Sequence, residues 1–191
     1  MKNVVLMFAT LFLLINGVFG QAQSTDAAAG RTNTEILNFI LDFQEQRILG
    51  IAEIMPAEKF SFAPTKGAFK GVRTFGGELK HIAADNFILG AGILGERPSV
   101  DVGVRESGPD NLRTKTEIIA YVKASFAYMH RAAASIDDAN RPIQTNEISP
   151  WPDGTATRLG VAIEDCVHTW DHYGQLVEYL RMNSIIPPGS K

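Results

Sequence analysis

Apolar residues return at helical spacing in four stretches of the chain, and strict alternation never persists for more than a few residues. The first stretch runs from about Thr34 to Met55, where Ile36, Phe39, Ile40, Phe43, Ile48 and Ile51 recur before Pro56 ends it. The second runs from about Thr74 to Leu94, with Phe75, Leu79, Ile82, Asn86 and Leu89 on one stripe. The third covers about Thr114 to Ile136, with Ile118, Val122, Phe126 and Met129 facing inward. The fourth covers about Thr155 to Met182, and Pro187-Pro188 lies beyond it. Four amphipathic helices of about 20 residues each predict an all-α chain folded as a four-helix bundle. The connections, about 17 to 19 residues long, carry the Pro and Gly, including Trp151-Pro152-Asp153-Gly154. They are long enough to run the length of a bundle, so the up and down order of the helices stays open.

The N-terminus follows another pattern. Lys2 precedes an apolar run from Val4 to Ile15 broken only by Thr10, and Val18-Phe19-Gly20 offers a cleavage site before Gln21. This reads as a secretory signal peptide over residues 1–20, since a membrane span needs about 20 apolar residues and this run is shorter. Export to a periplasmic or extracellular location is therefore expected, with no membrane role beyond export. Residues 21–33 are small and polar and read as a flexible leader into a domain spanning residues 34–188.

Composition narrows the function classes. The chain has 191 residues, 45% of them hydrophobic, and a formal charge of −3. That charge, without a basic face or helix-turn-helix spacing, argues against nucleic-acid binding. One cysteine, Cys166, excludes an internal disulfide and any CxxC-type site.

The sharpest candidate chemistry is His168-Thr-Trp-Asp-His172 on the fourth helix. Residues four apart share a face with Cβ atoms about 5–6 Å apart, so both rings can reach one metal ion. Asp165, Gln175 and Tyr179 fall on the same side, where groups that orient metal-bound histidines are needed. A third ligand must come from elsewhere. His81, with Glu78 and Asp85 at i−3 and i+4, is either that ligand or a buried histidine satisfied by a carboxylate; His130 reads as a helix-edge histidine. Cys166 turns away from the histidine face and reads as a small core residue.

Together these segments resemble the DinB-like (DinB/YfiT) superfamily of metal-dependent enzymes. CVHTWDHYGQLVEYLRMNSIIPP, from Cys166 to Pro188, is similar to that family's last helix and tail. Thr74 to Ala83 is similar to its histidine-bearing second helix, and Phe60 to Pro64 to the stretch before it. The resemblance implies a four-helix bundle holding a divalent metal on His81, His168 and His172, and it implies homodimers. The N-terminal signal departs from the family's better-understood members, which act inside the cell.

Three histidines suit several divalent transition metals, zinc or nickel foremost, with manganese and iron behind. Such a site can activate water or a thiol near neutral pH. The expected function is metal-dependent turnover of a small molecule, by hydrolysis or by thiol-dependent S-transfer, with Asp165, Asp85 or Glu78 orienting a ligand or taking a proton. Export favours hydrolysis, because low-molecular-weight thiols are mainly cytosolic. The alternative is a non-catalytic, metal-binding or structural bundle in which the 96–112 loop is only a connector.

Overall fold

A computed structural model describes residues 32–65, 69, 71–136 and 156–189. The signal segment, the leader up to residue 31 and the Trp151-Pro152-Asp153-Gly154 turn lie outside the described residues. Four helices account for most of the rest: α1 (Asn33–Ile54), α2 (Phe75–Leu94), α3 (Lys115–Ala134) and α4 (Arg158–Met182). No strand runs through the described residues, and the chain is all-α, as the apolar periodicity predicts.

Each helix starts on a threonine. The side chains of Thr32, Thr74, Thr114 and Thr157 accept hydrogen bonds from backbone N–H groups of the first turn, and Thr32 and Thr114 complete capping boxes with Glu35 and Glu117. Gly95, at φ 73°, ends α2 in the left-handed conformation that glycine adopts without strain.

Contacts fix the helix order that periodicity left open. Thr34 Oγ1 donates to Ile136 O (2.7 Å) and Lys115 Nζ donates to Met55 O (2.9 Å), so α1 and α3 are antiparallel. Glu78 faces His172 and His81 faces His168, so α2 and α4 are antiparallel too. Gly76 meets Ile118 while Gly90 meets Tyr128 and Met129, which makes α2 and α3 parallel neighbours. A Cβ on Gly90 would lie 2.7 Å from the Tyr128 ring, so a glycine is what allows this approach. With α1 also packed on α4, the α2–α3 connection has to return along the whole bundle. It does so against α2 and α3: Tyr128 Oη donates to Glu96, Tyr121 Oη donates to Asp101 O, and Lys80 Nζ donates to Pro109 O.

Most of the core falls into two apolar clusters with a polar layer between them, and a small third joins Phe87, Ala91 and Tyr128. Of the larger two, one joins Ile48, Ile51, Phe75, Leu79, Phe126 and Leu176; the other joins Leu37, Leu41, Leu89, Ile93, Met129 and Val161. Burying each such side chain contributes about 1.5–3 kcal/mol. Between the clusters every helix offers a buried polar residue: Gln44, Asn86, Ser125, and Asp165 with Thr169. In α1 the core stripe is Leu37, Leu41, Gln44, Ile48 and Ile51, whereas Ile36, Phe39 and Phe43 are exposed. Two adjacent apolar arcs share this helix, and helical period alone does not say which one faces the core.

Candidate metal centre

The antiparallel crossing of α2 and α4 brings His81, His168 and His172 together, with one ligand atom from each within 4.8 Å of the others. His81 and His172 are buried, and His168 is the exposed corner with 37% of its side chain open. His168 Nε2 lies 3.2 Å from His81 Nε2. Two imidazoles sharing a tetrahedral ion at 2.0–2.1 Å place their nitrogens about 3.3–3.4 Å apart, so the spacing fits a common metal.

Each buried histidine is braced through its other nitrogen. His81 Nδ1 lies 2.9 Å from Glu106 O, a backbone acceptor that holds the proton on Nδ1 and leaves Nε2 as the lone-pair nitrogen. Glu78 Oε2 lies 2.7 Å from His172 Nδ1 and leaves that ring's Nε2 for a ligand role. Burial lowers the pKa of His81 despite the nearby Asp85 carboxylate, which favours the neutral ring that a metal needs. The His168 pKa is raised, chiefly by Asp85, whose Oδ2 sits 2.5 Å from His168 Nε2 and 3.2 Å from His81 Nε2.

The surrounding carboxylates carry the fit test for a cation. Six buried side-chain polar atoms lack an aligned hydrogen-bond donor or acceptor among the described residues, and four of these are oxygens of Glu78, Asp85 and Asp165. Glu78 Oε2 and Asp85 Oδ2 keep ion-pair distances to the histidine nitrogens without an aligned hydrogen bond. Buried, unsatisfied carboxylate oxygens are costly, and a cation shared by the histidines beside Glu78 and Asp85 offsets that cost. The residues present therefore fit a divalent transition metal; the donor set does not select which one.

Asp165 sits one layer deeper. It is fully buried, and desolvation pushes its pKa up to about 8, with Asp85 adding to the effect. With its amide nitrogen turned toward Asp165, Asn86 donates to Asp165 Oδ1 and Ile82 O at 3.2 Å each and meets Ser125 Oγ at 3.0 Å. Asp165 thus anchors the polar layer beneath the histidines. Gln175 Nε2 donates to Asp171 (3.0 Å), and Tyr179 Oη donates to Arg73 O (3.0 Å). Cys166 packs in the second apolar cluster, where burial raises its thiol pKa to about 12. His130 lies at the α1–α3 seam against Asn38, Asp42 and Glu45.

Glu106 is the site residue that helical spacing could not reveal. It belongs to the crossover connection, at a turn where Arg105 and Glu106 both take positive φ (53° and 57°). Consecutive non-glycine residues in that region cost about 1–3 kcal/mol each and tend to mark functional sites. The turn is pinned by Gly108 N donating to Val102 O (2.9 Å), and a Cβ on Gly103 would collide with Gly108 O. Glu106 Oε2 is 3.9 Å from His81 Nδ1, and its pKa is raised by burial and by the neighbouring Asp85. His81, Asp85 and Glu106 thereby form a second group with metal-ligand spacing, overlapping the first. The sequence-level signal is the Gly103 to Pro109 cluster, a kinked turn inside a connection long enough to reach α2.

A sequence model described as the DinB superfamily matches residues 40–176, a span that holds all three histidines and Glu106. No curated protein matches the chain.

Proposed function

The chain belongs to the DinB superfamily, and from that premise we propose that it is an exported metal-dependent enzyme acting on a small molecule, with hydrolysis as its reaction and thiol-dependent transfer as the second branch. The observation that carries this reading is the convergence of three histidines, two of them braced through their second nitrogen, beside carboxylate oxygens that no other donor satisfies. Export rests on the pattern of residues 1–20. Among the described residues no helix is long and apolar enough to cross a membrane.

A bound divalent ion supplies Lewis acidity that makes water or a thiol reactive near neutral pH. His81 and His172 offer fixed nitrogens because Glu106 O and Glu78 hold their opposite edges. His168 must give up its proton to ligate, and Asp85 Oδ2 is placed to take it. Glu106 is then the carboxyl group able to hold a substrate proton, and the exposed edge of His168 marks the entrance.

The test is metal content and turnover of the full chain exported to the periplasm, beside His168→Ala. About one equivalent of a single metal, absent from the variant, together with chelator-sensitive turnover of an ester, amide or thiol-conjugation substrate, is the expected result. Protein that takes up neither zinc, nickel, manganese nor iron overturns the reading.

One observation favours the non-catalytic alternative. Asp85 Oδ2 lies close enough to two of the histidine nitrogens to serve as a fourth ligand, and a site closed by four protein ligands is structural. Cobalt-loaded protein separates the two: a visible spectrum that responds to azide marks an open position, and an unresponsive one marks a closed site.

A further inference from the structure

On the other side of the α2 N-terminus from Glu78 lies a cavity of about 510 Å³, walled by α2, the start of α3 and the segments at residues 57–61 and 107–113. Its walls connect to the histidine site through the chain: Lys80 and Ser107 line the cavity, and their chain neighbours His81 and Glu106 belong to the metal centre. Arg73, Lys80 and Arg113 bring three cations to it, against the single acid Glu58. This local excess of positive charge stands in a chain whose formal charge is −3.

The cations have capacity to spare. The Arg73 and Arg113 guanidinium groups have no ion pair or hydrogen bond among the described residues, and Lys80 Nζ uses one donor on Pro109 O at 2.9 Å. Arg73 lies near enough to the metal centre for its charge to act on both His81 and Glu106. The hydroxyls of Ser61, Thr74 and Ser107 add neutral hydrogen-bonding groups, and Phe60, Leu112 and Ile118 supply an apolar wall. Guanidinium groups match carboxylate and phosphate oxygens with paired N–H donors, and unpaired ones converging on a partly apolar cavity favour an organic oxyanion.

We propose that this cavity is the anion subsite of the metal centre, and that the protein's substrate is a small molecule carrying a carboxylate or phosphate held by Arg73, Lys80 and Arg113. The proposal rests on reading the histidine site as catalytic, and it specifies the substrate class of that site. An anionic end in the cavity would orient the rest of the molecule toward His81 and Glu106, so binding energy remote from the reacting bond fixes its position.

The test is binding of two probes, inorganic phosphate and succinate, to the full chain at constant ionic strength, followed by calorimetry and by thermal shift. Saturable binding of at least one probe is expected, and which one binds more tightly identifies the anion. Arg73→Gln and Arg113→Gln should each raise the half-saturating concentration about tenfold, the effect of losing one charge-assisted hydrogen bond. Arg131→Gln is the control, because that guanidinium is exposed and already paired with Glu96 at 2.7 Å. Equal responses of wild type, Arg73→Gln and Arg131→Gln, or no saturable binding of either probe, overturn the anion subsite. His168→Ala keeps the two readings apart. Probe binding that survives in this variant locates the anion away from the metal, and probe binding lost together with the metal places the anion on the ion itself and overturns the cavity assignment. Zinc-loaded protein completes the test: the subsite requires that zinc and probe change each other's affinity by the same factor, and fully independent binding removes its link to the metal centre.

Discussion

At the α1–α3 seam, His130 Nδ1 lies 2.6 Å from Asn38 Oδ1, and its Nε2 is 3.5 Å from Asp42 and 3.8 Å from Glu45. At the α2–α4 seam, His81, His168 and His172 lie against Glu78, Asp85 and Glu106 at comparable distances. Both are antiparallel helix pairs placing histidine beside acids, so residue type and proximity do not separate them. Burial does. The Asp42 side chain is 63% exposed, and water meets whatever His130 leaves unsatisfied. Glu78 and Asp85 are 2% and 4% exposed as whole residues, and their unsatisfied oxygens have no water to turn to. A protein holds such groups in its interior where something compensates them, and the three converging imidazoles beside them can hold a cation that does so.

The largest effect expected at the buried seam, short of removing a histidine, comes from Glu78→Gln. The change keeps the shape of the side chain but removes the charge that holds His172 by its Nδ1 edge. Removing a partner of this kind typically costs 10–100-fold in metal affinity, and competition with a chelator of known strength reads it directly. An unchanged affinity would mean that Glu78 is only a buried acid, and the contrast between the seams would lose its physical basis. The same titration has a pH signature. Asp85 raises the His168 pKa, so protons compete for this ligand at a higher pH than for an ordinary histidine. Metal affinity should fall as pH drops through that raised pKa, by about tenfold per pH unit for each proton displaced.

How much of this contrast was legible in the sequence follows from what each feature depends on. The helices depend on local spacing and capping, and the structural starts of α2 and α3 fall on the Thr74 and Thr114 that open the apolar runs. The three histidines could be nominated because two share one helix face and the third sits in a family-like segment. Glu106 could not, since its place depends on a crossover that returns along the bundle and on two left-handed residues, neither of which has a period. The polar layer was hidden differently. Gln44 and Asn86 sit on stripes of apolar residues, and a stripe says that a position is buried, not that four helices meet there with polar side chains. The exposed arc of α1 is the converse case, where Ile36, Phe39 and Phe43 are apolar and periodic without being core.

A smaller effect should appear in stability at Asp165, below the metal centre. A carboxyl whose pKa rises from its ordinary 3.8 to about 8 on folding keeps a proton that the unfolded chain has already released. The native state therefore binds more protons across that window, and stability falls as pH rises from about 4 to about 8. Asp165→Asn keeps the size of the neutral acid and has no proton to lose. In chelator, to silence the metal, the variant should lose most of this pH dependence and be the more stable of the two proteins at about pH 8. Denaturant unfolding at several pH values measures it. Parallel pH profiles for the two proteins would show that Asp165 is ionised in the fold and that the polar layer carries a charge.

The smallest effect belongs to the other seam, and its smallness is the point. His130→Gln removes the ring that Asn38, Asp42 and Glu45 approach, at a place where 26% of the histidine side chain is open to solvent. Exposed ion pairs contribute about 0–1 kcal/mol, because water screens the charges and replaces the lost hydrogen bond. The variant should unfold within about 1 kcal/mol of the wild type and keep its full complement of metal. Metal lost from His130→Gln, with folding intact, would mean that acids left in water can also hold an ion in this protein. Burial would then no longer distinguish the two seams, and convergence of the three histidines would have to carry the assignment alone.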